Sequence, residues 1–126
     1  MYSSTFIFAS KPFDAEFHRL DQAIAEAAKA TQGYLGEESW ENAASGLVSN
    51  VYYWDSLAAL KALMQHPIHL QAKAAQTKWL AGYRVEISDV LRRYGDGGVA
   101  HPAEPAVVVA VAAMPVTAAF QPEATP

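Results

Sequence analysis

Leu47-Val48-Ser49-Asn50-Val51-Tyr52-Tyr53-Trp54-Asp55-Ser56-Leu57-Ala58-Ala59-Leu60 carries two periodicities, one after the other. From Leu47 to Trp54, β-branched and aromatic residues alternate as a strand demands. Val48, Asn50, Tyr52 and Trp54 fall on one face, and Leu47, Ser49, Val51 and Tyr53 on the other. At Asp55-Ser56 the period changes. Leu57, Leu60, Leu63 and Met64 recur at helical steps, so the strand runs directly into a short helix. His66-Pro67 breaks that helix, because proline disfavours a helical residue before it and suits the first turn of a new helix. The new helix is expected to run to about Ala81, with Ile68, Ala72, Ala75 and Trp79 on one stripe and Gly82 as its stop.

Upstream, Tyr2 to Ser10 reads as a strand with both faces buried, Phe6 and Phe8 against Ile7 and Ala9. Lys11-Pro12 ends it, and Asp14 is placed to cap a helix with the core stripe Phe13, Phe17, Leu20, Ile24 and Ala27. Thr31-Gln32-Gly33 stops that helix. Tyr34 to Glu41 alternates as a second strand, with Tyr34, Gly36, Glu38 and Trp40 on one face, and Asn42 to Gly46 has hairpin-loop composition. Downstream, Tyr83 to Tyr94 is the last strand. The order is β-α-β-β-α-β, an α+β chain of the ferredoxin-like kind with an antiparallel sheet. Its helices cover one sheet face only. Strands one and three are apolar on both faces, so a second copy of the sheet is the economical cover, and a homodimer is expected.

The 126 residues suffice for one domain, and 52% hydrophobic content with 17% charged residues suits a buried core. The domain is expected to span 1–95. Past the turn formers Gly95-Asp96-Gly97-Gly98, residues 96–126 form an Ala/Val/Pro-rich tail without Lys or Arg, in which Ala106 to Val111 could add an edge strand. The net charge is −4 and the basic residues are scattered, so no nucleic-acid partner is expected. No apolar run reaches the roughly 20 residues that span a bilayer, and no basic-then-apolar start marks a signal peptide. No membrane association and a cytoplasmic location are the expectations. The chain has no cysteine, which excludes disulfides, thiolate metal sites and thiol nucleophiles.

Chemistry can rest on few residues. Asn50 is an amide in a strand otherwise apolar or aromatic. It would either polarise a substrate oxygen or hydrogen-bond a loop or a partner subunit. His66 and His69 are three apart around a helix start, close enough to share a face. They could cap the helix, line a pocket or an interface, or act as acid and base. A metal would need a third ligand that nothing fixes, so no metal site is assigned. Tyr52, Trp54 and Trp79 belong either to the core or to the wall of a pocket for a flat apolar ligand. Glu37 and Glu38 read as solvated or edge charges, and Arg84 with Glu86 as an interface pair on one face of the last strand.

Tyr53-Trp54-Asp55-Ser56-Leu57-Ala58-Ala59-Leu60, then His66-Pro67-Ile68-His69-Leu70-Gln71-Ala72, then Trp79 and Tyr83-Arg84-Val85, resembles the antibiotic-biosynthesis-monooxygenase superfamily over residues 2–94. The resemblance implies a dimeric α/β barrel with a pocket in each subunit between the sheet and the two-part second helix. Characterised members oxidise quinols or polycyclic phenols without metal or flavin, or bind and degrade haem. The anthrone-oxidising branch carries on its third strand an Asn and, four residues later, a Trp, the spacing of Asn50 and Trp54. Its helical Tyr and later Arg are matched here by Leu60 and Ala74. The haem-degrading branch's Trp and axial His are matched by Leu63 and Lys73. The resemblance therefore implies a monooxygenase without cofactor, acting on a small aromatic substrate. His66 or His69 would take a phenolic proton, Asn50 would hold the oxyanion, and Tyr52, Trp54 and Trp79 would line the pocket. The alternatives are a ligand-binding or stress-response barrel without catalysis and, further off, a haem protein.

Overall fold

The computed structural model describes residues 1–104; the tail strand considered at Ala106 to Val111 lies outside them. Four strands and three helices follow in order: β1 (Tyr2–Ser10), α1 (Ala15–Ala30), β2 (Tyr34–Glu41), β3 (Val48–Trp54), α2 (Leu57–Met64), α3 (Pro67–Ala75) and β4 (Leu80–Asp89), with one 3-10 turn at Gln76–Lys78. All strand pairs are antiparallel and the sheet order is β2-β3-β1-β4, the ferredoxin-like arrangement expected. No helix among the described residues is long and apolar enough to cross a membrane.

Side-chain caps set the helix starts. Asp14 Oδ1 accepts from Phe17 N at 2.9 Å and from Trp79 Nε1 at 3.0 Å, so one carboxylate starts α1 and ties it to the entry of β4. Ser56 Oγ accepts from Ala59 N at the head of α2. His66 Nδ1 accepts from Ile68 N at the head of α3, with Pro67 in the first turn.

Three boundaries differ from the sequence expectation. The last helix stops at Ala75 rather than near Ala81, and the last strand is Leu80–Asp89 rather than Tyr83 to Tyr94. Pairing with β1 decides this. Ser10 stands opposite Leu80, Ala9 opposite Gly82, and Lys11 N donates to Trp79 O at 2.7 Å. A ladder along all of β1 outweighs the modest helix preference of Leu80 and Ala81, and Gly82 lies inside the strand instead of ending a helix.

The helices lie over the sheet face that carries Phe8, Tyr52 and Trp54. Trp54 is wholly buried there against Ala28 of α1 and Ala59, Leu60 and Leu63 of α2. Its indole N–H donates to Ser4 Oγ at 3.1 Å, so the buried polar atom is satisfied. At the other end of α1, Phe13 stacks on Phe17 with centroids 3.7 Å apart, and Phe17 meets Trp79 edge-on at 5.6 Å.

On β2 the alternation breaks. The register shifts between Tyr34 and Gly36, a bulge at Leu35. Tyr34 therefore joins the helix-side core, whereas Gly36, Glu38 and Trp40 stand on the helix-free face. Strict alternation would put all four together. Gly36 has φ 154°, and a Cβ there would run into the Pro102 carbonyl.

That contact exists because the chain turns back after the last strand. Gly97 takes φ 84° within the expected turn, and His101 then packs against Tyr53 with ring centroids 4.4 Å apart. Arg93 and Glu104 pair at 2.6 Å. Residues 99–104 thus cover part of the helix-free face.

Candidate functional site

Strand β3 presents Asn50, Tyr52 and Trp54 to the helix side, as the alternation required. Asn50 stands opposite Phe6 of β1 and Ser39 of β2. The Ser39 hydroxyl donates to Asn50 Oδ1. This occupies the carbonyl end of the amide and leaves its NH2 as the free donor. Asn50 is neither sealed nor fully exposed.

Next along the face, Tyr52 stands opposite Glu37. Burial pushes the Tyr52 phenol well above its usual range, and the neighbouring Glu37 carboxylate adds to the effect through charge and a hydrogen bond. Tyr34 OH also donates to Glu37 Oε1, at 3.2 Å. Burial first, then Glu37, pushes Tyr34 up to about 12. One carboxylate therefore stands beside two phenols and adds to the upward shift of both. Asp21 of α1 faces the same group. Burial raises its pKa, His18 opposes the rise, and Glu37 adds to it. Asp21, Tyr34, Glu37, Ser39, Asn50 and Tyr52 make a polar patch between α1 and the β2–β3 half of the sheet.

Among the described residues, none of the remaining residues named from sequence hydrogen-bonds to Asn50. Tyr52 and Trp54 are neighbours, with centroids 6.2 Å apart, but Trp54 is fully enclosed. Trp79 is buried beside Phe17 and Asp14, near the start of α1. Trp54 packs on Ala28 near its end, about 16 Å away at the rise of an α-helix. The two indoles do not share a wall. His66 is exposed and uses Nδ1 as the α3 cap. His69 is half-buried, and its Nδ1 is buried with no hydrogen-bond partner among the described residues. Burial lowers its pKa below the ordinary 6.5, Lys73 and His66 push the same way, and the Met64 carbonyl opposes them. The imidazole is thereby kept neutral and able to accept a proton. Among the described residues no three His, Asp or Glu side chains are grouped to hold a metal ion.

Sequence reading missed Glu37, Tyr34 and Asp21. Strict alternation puts Tyr34 and Glu37 on opposite faces, and only the bulge brings them together. Gly36, a glycine inside a strand pattern, is the one signal that announces such a bulge. Glu38 is also engaged rather than solvated, accepting from Tyr53 OH at 2.8 Å on the other face. An open cleft of about 340 Å³ lies at the end of β4, lined by Met1, Val90, Leu91, Arg92, Arg93 and Glu104. None of the residues named from sequence lines it.

No family model matches the chain, and no curated protein matches it. Solved structures do. The Rv0793 protein of Mycobacterium tuberculosis superposes with a TM-score of 0.63 at 19% identity, covering 75% of this chain and 98% of that one. SnoaB, a cofactor-independent oxygenase of Streptomyces nogalater, gives 0.61 at 13% identity over 73% and 94%. An antibiotic biosynthesis monooxygenase gives 0.59 at 14% identity over 73% and 100%. This chain has the fold of these proteins.

Proposed function

We propose that this chain, built on the fold of the antibiotic biosynthesis monooxygenases, belongs to that superfamily and is a cofactor-independent monooxygenase of a small aromatic substrate, quinol- or anthrone-like. One observation carries the reading. The carbonyl end of the lone β3 amide is taken up by the Ser39 hydroxyl, which leaves its NH2 as the donor for a substrate oxygen. A phenol that loses its proton is an electron source for O₂, and such a reaction needs a base, an oxyanion partner and a dry wall. Asn50 is the oxyanion partner in this reading. His69, held neutral by burial, is the base. Glu37, which accepts from Tyr34 and stands opposite Tyr52, is a further proton-holding group, on the face of the sheet that carries Asn50.

The working form in this reading is a homodimer. A second copy covers what residues 99–104 leave open on the helix-free face, including Ile7, Val51 and the 62% exposed Trp40.

The test is oxygen uptake with quinol and anthrone substrates. Asn50→Ala is expected to lower turnover by ~10²–10³, the usual loss on removing one oxyanion donor, with an unchanged melting temperature. Equal rates for the native chain and Asn50→Ala would remove the site.

A second reading, a ligand-binding module without catalysis, is favoured by Trp54. Its ring is sealed in the core and reaches no substrate without a rearrangement of α2. Binding of an aromatic ligand with no oxygen uptake would select it.

A further inference from the structure

β4 is a sheet edge ten residues long, and among the described residues nothing pairs with its outer side. Such an edge offers a row of free N–H and C=O groups to another strand. Proteins that keep such edges apart use proline, bulges or clustered like charge. The outer edge at β2 does so with Glu37, Glu38 and Glu41. β4 contains no proline, and its single register shift lies at its first residues, opposite Ala9 and Ser10.

The side chains of β4 are sorted. The row on the helix side is Tyr83, Val85 and Ile87, each about half exposed. The row on the other side is Gly82, Arg84, Glu86 and Ser88. Arg84 Nε lies 3.6 Å from Glu86 Oε1 of its own strand, with both side chains more than half exposed. Residues two apart on a strand are ~7 Å apart along the chain, whereas directly opposed residues of antiparallel strands are ~4.5–5.5 Å apart. A facing strand therefore brings the backbone of an opposed residue closer to each of these residues than the next same-face residue of its own strand.

We propose that β4 pairs antiparallel with β4 of a second copy about a two-fold axis at Val85. The register follows from the sequence. Arg84 then faces Glu86 of the other copy, twice, and Tyr83 faces Ile87, twice. Val85 meets Val85, and Gly82 faces Ser88. From Tyr83 to Ile87 the facing pairs are like with like in polarity, and the charged pairs are opposite in sign. A slip to a centre at Arg84 or at Glu86 sets like charges directly against each other, which is destabilising. The surface is separate from the helix-free face and independent of the oxygenase reading. If both contacts form, four chains assemble.

The 126-residue chain has no cysteine of its own, so Val85→Cys gives a clean report in it. Antiparallel neighbours have Cα atoms ~4.5–5.5 Å apart, within disulfide range. Mild oxidation at about 10–100 µM protein is expected to yield a covalent pair. Adding Arg84→Glu, or Glu86→Arg, to Val85→Cys is expected to lower that yield at least tenfold. An equimolar mixture of the two charge variants is expected to restore it as the mixed pair, because a strand acidic at both positions then faces a strand basic at both. Only an intermolecular contact is rescued by mixing. Circular dichroism confirms that each variant is folded. A folded Val85→Cys that stays single with a reactive thiol overturns the proposal. So does a protected thiol without cross-linking, which would mean that something other than β4 of a second copy covers the edge. Cross-linking indifferent to both charge variants overturns the register. A protein without oxygenase activity that still cross-links in this pattern sinks the oxygenase reading alone.

Discussion

Asn50 is legible in the sequence alone, because an amide in an apolar strand needs a reason. Its partner Ser39 is not, since register between strands cannot be read from either strand alone. Removing that partner has a defined consequence. In the proposed oxygenase reading, Ser39→Ala frees Asn50 Oδ1 and lets the amide rotate, so it is expected to lower turnover less than Asn50→Ala does, with the loss in kcat rather than KM. His69 gives a pH prediction. Its pKa is lowered in the folded chain, so between that value and 6.5 the unfolded chain binds a proton that the folded chain does not. Its contribution to stability is complete above pH 6.5 and is lost as pH falls below it. Melting temperatures at about pH 7.5 and about pH 5 are expected to differ less for His69→Gln than for the native chain. An unchanged difference would mean that His69 does not titrate as described.

At the scale of elements, β1, α1, β2, β3, α2 and the break at His66-Pro67 follow from period and caps, with ends within a residue or so of those read from sequence. β4 does not follow as well. Its start is set by β1, a partner some seventy residues away in the chain, and the helix preference of Leu80 and Ala81 is too small to outweigh that ladder. The bulge on β2 is the other departure at this scale, and it decides which carboxylate reaches the helix side. Gly36→Ala is expected to destabilise by about 1–3 kcal/mol, from strain at a positive φ and from the clash with Pro102. In a chain ending at Gly98 the same substitution is expected to cost less, since Pro102 is gone. Denaturant midpoints of the four proteins form a double-mutant cycle, and strict additivity would show that Pro102 does not press on Gly36.

At the scale of the whole molecule, the fold is legible because local signals agree in order, and the resemblance points the same way. The covering of the helix-free face by residues 99–104 is not legible. Nothing in Gly98 to Glu104 has the period of a strand or a helix, and His101 finds Tyr53 only in three dimensions. Truncation after Glu104 is expected to leave the melting temperature of the described fold within a few degrees. Truncation after Gly97 removes the His101 and Pro102 contacts and is expected to lower it further, by roughly 5 °C for a loss near 1 kcal/mol. Equal melting temperatures for the two would show that these contacts add nothing. Sedimentation at micromolar concentration is expected to give at least twice 13.6 kDa for the full chain. A mass of one chain at every concentration would exclude both interfaces proposed above.

The three tryptophans occupy three different optical environments. Trp54 is sealed beside two tyrosines, Trp79 is nearly sealed and bonded to a carboxylate, and Trp40 stands in water at the far end of β2. Acrylamide should quench Trp40 and spare the other two, so the emission of the native chain splits into a red, accessible fraction and a blue, protected one. A partner on the helix-free face would shift the red fraction toward blue. Loosening of α2 would shift the blue fraction toward red. The chain therefore carries its own fluorescent gauges for the two events that its proposed workings depend on, with no label attached.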